Sequence, residues 1–305
     1  MLVSPQPNVT RGVQVHGFHP STATESEVST ILEHIYRDKI VLLKEQELDH
    51  DEFVALGALL GSPAVYYESM YHLPGHPKIF VSSNQPSGGS RIGVPKTGKF
   101  WHSDYQFMPD PFAITLIYPQ ILPERNRGTY FIDMGEAFQD LDPRIKDVVV
   151  LSNSWHSSRR YVKIRPSDVY RPLGEIVAEV EANTPPQMRP TVIEHPVTGE
   201  AVLYISEAFT YAIEDRDGDA LPAELLTELF GTSGQLDSTF THPNIFLQTY
   251  EPGDILLWDN RSLVHRALHT SSNEPVESHR ITVHDGHPLN RVRHAGVDRG
   301  EAAVK

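Results

Sequence analysis

The stretch Lys99-Phe100-Trp101-His102-Ser103-Asp104-Tyr105-Gln106-Phe107 sets an imidazole and a carboxylate two positions apart inside a run of aromatics. In an extended strand, residues i and i+2 face the same way, so His102 and Asp104 would converge on one point. They are two of the three ligands of a facial two-histidine, one-carboxylate site, whose open positions suit non-haem Fe(II) and oxygen chemistry. Read alone, His-x-Asp is equally the polar end of a surface strand. The third ligand has to come from elsewhere.

Toward the C-terminus, Glu251-Pro252-Gly253-Asp254 reads as a turn and Ile255-Leu256-Leu257-Trp258 as a buried strand. Asp259-Asn260-Arg261 then leads into Val264-His265-Arg266-Ala267-Leu268-His269. Fifteen residues past His265 (280 − 265) stands Arg280, inside His279-Arg280-Ile281-Thr282-Val283. Toward the N-terminus, a capping box at Thr24/Glu27 opens one helix and Asp49-x-x-Glu52 begins a second. The first buries Val28, Ile31, Leu32 and Ile35; the second buries Phe53, Leu56 and Leu60 and stops at Gly61. Ile40–Leu43, Ile79–Val81, Phe112–Tyr118 and Thr129–Ile132 read as strands, and Pro143–Leu151 as a helix. Further strands lie near 191–194, 201–205 and 245–250, with a helix after Pro222. The fold expected is mainly β with flanking α-helices, a jelly roll, in a single domain over 1–305.

Two irregular stretches are expected to act as lids: the Gly/Ser/Pro-rich residues 85–98, and the polar, proline-containing residues 153–190. Within the second, Arg159-Arg160-Tyr161-Val162-Lys163-Ile164-Arg165 would put Tyr161, Lys163 and Arg165 on one face if extended. Such a face is either a solvated charge run or a clamp for a carboxylate.

Composition bounds the partners. The 305 residues carry Lys+Arg 26 against Asp+Glu 40, a net charge of −14, which argues against nucleic acid and anionic membrane. An anionic small molecule held in a local basic pocket stays compatible. Cysteine is absent, so disulfides, thiolate nucleophiles and zinc–thiolate sites are all excluded. No apolar run approaches the ~20 residues of a membrane span. Met1–Thr10 shows no secretory pattern, so a cytoplasmic protein is expected.

The order His-x-Asp, a long gap, a histidine after a Gly-Asp-hydrophobic-Trp-Asp-Asn strand, then an arginine resembles the taurine dioxygenase-like (TauD/TfdA) family. The resemblance runs from the first helix to about Asp285. It implies a double-stranded β-helix, Fe(II) as cofactor, and 2-oxoglutarate and O2 as co-substrates. By position it implies a metal triad of His102, Asp104 and His265. Arg280 would pair with the distal carboxylate of 2-oxoglutarate, and Thr129 would help to hold it. One departure stands out. Where the family often has Gly-Gly-Asp-Thr, this chain has Asn126-Arg127-Gly128-Thr129, so a carboxylate is lost and a cation has entered.

Within the family, Tyr66, Tyr71, the His102–Phe107 stretch, Lys163-Ile164-Arg165, and His265 with His269 resemble the isonitrile-forming branch of isonitrile lipopeptide biosynthesis. That likeness implies an N-carboxymethyl β-amino acid as substrate, such as (3R)-3-[(carboxymethyl)amino]butanoate or a longer acyl analogue. It implies that Tyr66, Tyr71, Lys163, Arg165 and His269 meet the two substrate carboxylates. Two rivals share the triad: a hydrolase or isomerase on a cupin-like barrel, and a non-catalytic barrel. The first has no use for Arg280, and intact His102, Asp104, His265 and Arg280 argue against the second. A hydroxylase of another small carboxylate or sulfonate would use Arg280 in the same way.

Overall fold

The computed structural model describes residues 1–292 except 8, 10, 88, 89, 92, 96, 126, 127, 163, 165 and 269–273; of 86, 87, 90, 91 and 166 it describes the backbone only. The chain forms two compact units: Met1–Asp104, Phe112–Phe131 and Phe246–His287 make the first, and Tyr105–Pro111, Ile132–Ile245 and Pro288–Lys305 the second. One boundary, 131/132, falls inside the strand Thr129–Asp133, which is why no linker is legible in the sequence.

The first unit holds a nine-stranded sheet. Its order is Leu2–Pro5, Val13–His16, Ile40–Leu43, Ile255–Asp259, Ile114–Ile121, Glu277–His284, His76–Ser83 and His72–Leu73, with Ser62–Pro63 added beside Glu277–His284. All neighbours are antiparallel except Val13–His16 with Ile40–Leu43. Side chains alternate between two buried faces. Val41, Leu43, Ile114, Leu116, Ile255, Leu257, Ile281 and Val283 share one core cluster with Ile31 and Ile35 of helix Glu25–Asp38 and with Phe53, Leu56 and Leu60 of helix His50–Leu60. Both capping boxes form, with Thr24 accepting from the Glu27 amide and Asp49 from the Glu52 amide; each cap contributes about 1 kcal/mol.

The opposite face meets a three-stranded sheet of Ile245–Gln248, Thr129–Asp133 and Leu263–Ala267. Ile40, Leu42, Leu256, Trp258, Phe131 and Leu263 fill the space between. This is the jelly-roll arrangement expected. Strands such as Ile40–Leu43 and Ile255–Asp259 are buried throughout because both faces are covered, so their sequences show runs rather than alternation. Gly128 enters the small sheet with φ +148°, and a Cβ there would lie 2.6 Å from the Gln248 carbonyl oxygen, so only glycine fits.

Among its described residues the second unit carries two three-stranded sheets and four α-helices, Met134–Gln139, Pro143–Leu151, Leu173–Asn183 and Ala223–Ser233. Residues 153–190 depart from the irregular segment expected. They hold strand Asn153–His156, helix Leu173–Asn183 and strand Gln187–Pro190. Arg159–Tyr161 is a 3-10 turn rather than extended, and Lys163 and Arg165 of the expected shared face lie outside the described residues. Arg159 pairs with Glu181 and Arg160 with Glu207. Residues 85–98 include a short ribbon, Pro86–Ser87 with Ser90–Arg91. Among the described residues, no helix is long and apolar enough to cross a membrane.

Candidate active site

His102 and His265 come from chain segments 163 residues apart (265 − 102) and meet as one antiparallel bridge. His102 N–H donates to the His265 carbonyl at 3.1 Å, and His265 N–H returns the bond at 2.8 Å. The expected strand through His102 and Asp104 is thus reduced to a single bridge. The chain turns away at Tyr105, whose φ is 64°. The two side chains still converge. His102 Nδ1 donates to the Phe100 carbonyl at 2.8 Å, which leaves its Nε2 lone pair facing Asp104 Oδ1 at 3.7 Å. His265 Nε2 stands 3.8 Å from Asp104 Oδ2, with its ring against the Trp258 indole at 4.7 Å.

Asp104 is held by its backbone as well as its side chain. Asn260, at the end of the buried strand Ile255–Asp259, accepts from the Asp104 amide at 2.8 Å and donates to the Asp104 carbonyl at 2.8 Å and the Phe112 carbonyl at 3.0 Å. Ser103 Oγ donates to the Asn260 carbonyl at 2.6 Å. The carboxylate accepts from Thr115 Oγ1 at 2.9 Å and from Arg280 Nη1 at 2.5 Å.

All three side chains are buried, and their ligand atoms lie within 4.8 Å of one another. The 3.7 and 3.8 Å separations are too long for hydrogen bonds. They suit a cation that sits about 2.0–2.2 Å from each ligand atom, since two such ligands can be at most about 4.4 Å apart. Burial pushes the His102 imidazole below its ordinary range against the opposing pull of Asp104, and burial with His102 pushes His265 well below it. Burial also drives the Asp104 carboxyl upward, but Arg280 and the two imidazoles overcome this and hold it low. Two neutral imidazoles and a carboxylate are what a divalent metal requires.

Beside the triad is a cavity of about 160 Å³ lined by Phe80, Ile117, Thr129, Tyr250, Ser278 and Arg280, among others. Register explains the grouping: Arg280 lies opposite both Phe80 and Ile117 on its neighbouring strands, so the three share one face. Arg280 Nε is buried without a hydrogen-bond partner, a donor ready for an incoming carboxylate. Thr129 is buried and hydrogen-bonded to the Tyr250 hydroxyl, whose pKa burial raises. The cavity thus offers a buried cationic donor and a hydroxyl beside the candidate metal ligands.

The tyrosines stand one layer away. Tyr71 is buried and stacks on Phe80 at 4.4 Å, and Tyr66 meets both rings edge-on. Lys163, Arg165 and His269 lie outside the described residues, as do Asn126 and Arg127. Four residues that shape the site have no signal of their own in the sequence: Phe80, Thr115, Tyr250 and Asn260. Only Asn260 stood within a quoted motif.

The model of the family described as "Taurine catabolism dioxygenase TauD, TfdA family" matches residues 4–282. Similar proteins include pentalenolactone F synthase of Streptomyces arenae, 28% identical over 87% of this chain and 89% of that one. Alkylsulfatase of Acinetobacter baylyi is 25% identical over 89% of this chain and 81% of its own. Among solved structures, AAD-2 in complex with Mn(II) and N-oxalylglycine superposes with a TM-score of 0.73 at 20% identity, covering 94% of this chain and 99% of that one. A taurine dioxygenase from Burkholderia xenovorans gives 0.68 at 24%, covering 92% and 90%. These last two likenesses establish the fold. With the family model spanning nearly the whole chain, and a buried His-Asp-His group where that chemistry needs it, the protein belongs to the TauD/TfdA family of Fe(II)- and 2-oxoglutarate-dependent oxidoreductases.

Proposed function

We propose that this enzyme converts an N-carboxymethyl β-amino acid, short or long in its acyl chain, to the corresponding isonitrile by four-electron oxidative decarboxylation. In the same reading His102, Asp104 and His265 bind the metal, Arg280 and Thr129 bind 2-oxoglutarate, and the whole chain 1–305 serves as one catalytic domain. The observation that carries the iron chemistry is the buried convergence of the three ligand atoms beside a cavity that holds an arginine donor without a partner. The isonitrile branch rests on Tyr66, Tyr71, Lys163, Arg165 and His269, which supply hydroxyl and cationic donors for a substrate with two carboxylates.

When bound, iron with 2-oxoglutarate and O2 supplies an oxidant that removes hydrogen from an unactivated carbon. The residues of the chain decide which carbon. Arg280, its Nε open, orients the distal carboxylate of 2-oxoglutarate, with Thr129 as a second donor. Tyr66, Tyr71, Lys163, Arg165 and His269 hold the substrate carboxylates so that the N-carboxymethyl methylene is the C–H presented. The substrate loses that carboxyl group as CO2 and four hydrogens in all. Two O2 are reduced against this while two 2-oxoglutarate are oxidised, giving two succinate, two further CO2 and two water. The names of the relatives fit a class of small anionic or oxygenated substrates, and a hydroxylase of another carboxylate or sulfonate is the competing reading.

The test is anaerobic loading with Fe(II) and 2-oxoglutarate, addition of candidate N-carboxymethyl β-amino acids of graded chain length, then O2 and mass analysis. An isonitrile product supports the reading. A product heavier than substrate by one oxygen, with no isonitrile at any chain length, returns the enzyme to the hydroxylases.

A further inference from the structure

We propose that Phe80 is a positioning residue for the co-substrate: its ring fixes the plane of the Arg280 guanidinium. The inference rests on the reading that Arg280 anchors 2-oxoglutarate. Phe80 and Arg280 sit directly opposite one another on strands His76–Ser83 and Glu277–His284. The guanidinium carbon lies 4.0 Å from the Phe80 ring centroid. Tyr71 stacks on the same ring at 4.4 Å with 18° between planes, and two partners this close must take opposite faces. Tyr66 braces the pair edge-on, 5.0 Å from Tyr71 and 5.1 Å from Phe80. Phe80 and Tyr71 are both buried. The ring is therefore not free to tilt.

Fixing the plane matters because every guanidinium N–H lies in it. Arg280 Nη1 is committed to Asp104, and Nε is unpaired. With the Phe80 ring packed against the guanidinium at 4.0 Å, rotation about the last side-chain bonds is restricted, and the remaining donors stay aimed along the cavity instead of sweeping through it. A carboxylate, itself planar, then meets donors already in its plane. A leucine would fill most of the same volume but would offer the guanidinium no negative face and no flat stop.

The experiment is calorimetric titration of 2-oxoglutarate into Mn(II)-loaded enzyme, which reads binding without turnover. Phe80→Leu should weaken 2-oxoglutarate about 3- to 30-fold, and Phe80→Tyr should stay within about twofold of wild type. Incorporating 3,4,5-trifluorophenylalanine at position 80 keeps ring and shape but thins the negative face, and should fall between the two. In an Arg280→Gln background, Phe80→Leu should add less than about twofold, as a double-mutant cycle requires of a pair that acts together. If the Leu variant does not fold, the fluorinated ring decides alone. Wild-type affinity in the fluorinated protein, or an undiminished Phe80→Leu effect without Arg280, overturns the proposal. Full 2-oxoglutarate affinity in Arg280→Gln would instead overturn the underlying assignment of Arg280.

Discussion

Asn260→Ala is expected to damage the metal site without touching a metal ligand. The Asn260 amide makes three buried hydrogen bonds, of 2.8, 2.8 and 3.0 Å, two of them to the backbone of Asp104. Alanine leaves the Asp104 N–H and carbonyl without these partners and takes one bond from the Phe112 carbonyl, in a region closed to solvent, at about 1–3 kcal/mol for each group left unsatisfied. Such losses are not additive, and a water can enter the space vacated, so a total of about 3–5 kcal/mol is reasonable. For a chain of this size that is a fall in Tm of roughly 5–8 °C. Because the bonds lost are those that aim Asp104, Mn(II) affinity should also fall about 10- to 100-fold, the range seen when an outer-shell partner is removed. Ser103→Ala is the control. It deletes one bond to the Asn260 carbonyl, at about 1 kcal/mol, and should leave metal affinity nearly intact. Thermal unfolding and Mn(II) titration on the same preparations read both effects. A variant that melts within about 2 °C of wild type, or that loses stability yet binds Mn(II) as wild type does, would refute the clamp.

His102→Ala, Asp104→Ala and His265→Ala should each abolish succinate formation, checked by chromatography of reaction mixtures, because each removes one of the three proposed anchors. Arg280→Ala should raise the requirement for 2-oxoglutarate at least about 30-fold, the low end of what an unpaired buried carboxylate costs, whereas Lys163→Ala should leave 2-oxoglutarate binding alone and increase succinate formed without product. Acid should destabilise the fold through His279, pushed down to about 4 chiefly by burial, and His156, pushed to about 3 by burial and Arg189. Both are neutral in the fold while the unfolded chain takes up protons below its ordinary histidine pKa, so stability is lost as pH falls from about 6.5 toward those values. The loss should be about 2 kcal/mol per histidine at pH 5, and His156→Gln should flatten the slope of Tm against pH between 6.5 and 5.

Much of the scaffold is written locally. The two capping boxes, the stripes at Ile31/Ile35 and Phe53/Leu56/Leu60, and the apolar runs at 40–43 and 255–258 are each decided by residues within a few positions of one another. Helix Leu173–Asn183 was not legible because it buries only Ile176 and Val180 and has no side-chain cap. Met134–Gln139 is too short for a period to show, although Asp133 caps it. At the site, His102, Asp104 and His265 are legible from residue type and order. Phe80, Thr115 and Tyr250 are not, because residue type alone says nothing of what each meets across the fold. Phe80 gains its role from register with Arg280 on a distant strand, Thr115 and Tyr250 from hydrogen bonds to Asp104 and Thr129. The convergence of His102 with Asp104 was foreseen for an incomplete reason. An ordinary strand does not continue through them; the bridge to His265 and the Asn260 clamp hold the pair in place.

The proposed activity is tested most directly by counting succinate against isonitrile in the same reaction, with an N-carboxymethyl β-amino acid as sole substrate and 2-oxoglutarate in excess. Removing four hydrogens and the carboxyl group requires two rounds of co-substrate oxidation, so the ratio should be two succinate per isonitrile, corrected for succinate formed without substrate. A ratio of one, with a hydroxylated product in place of the isonitrile, would contradict the account.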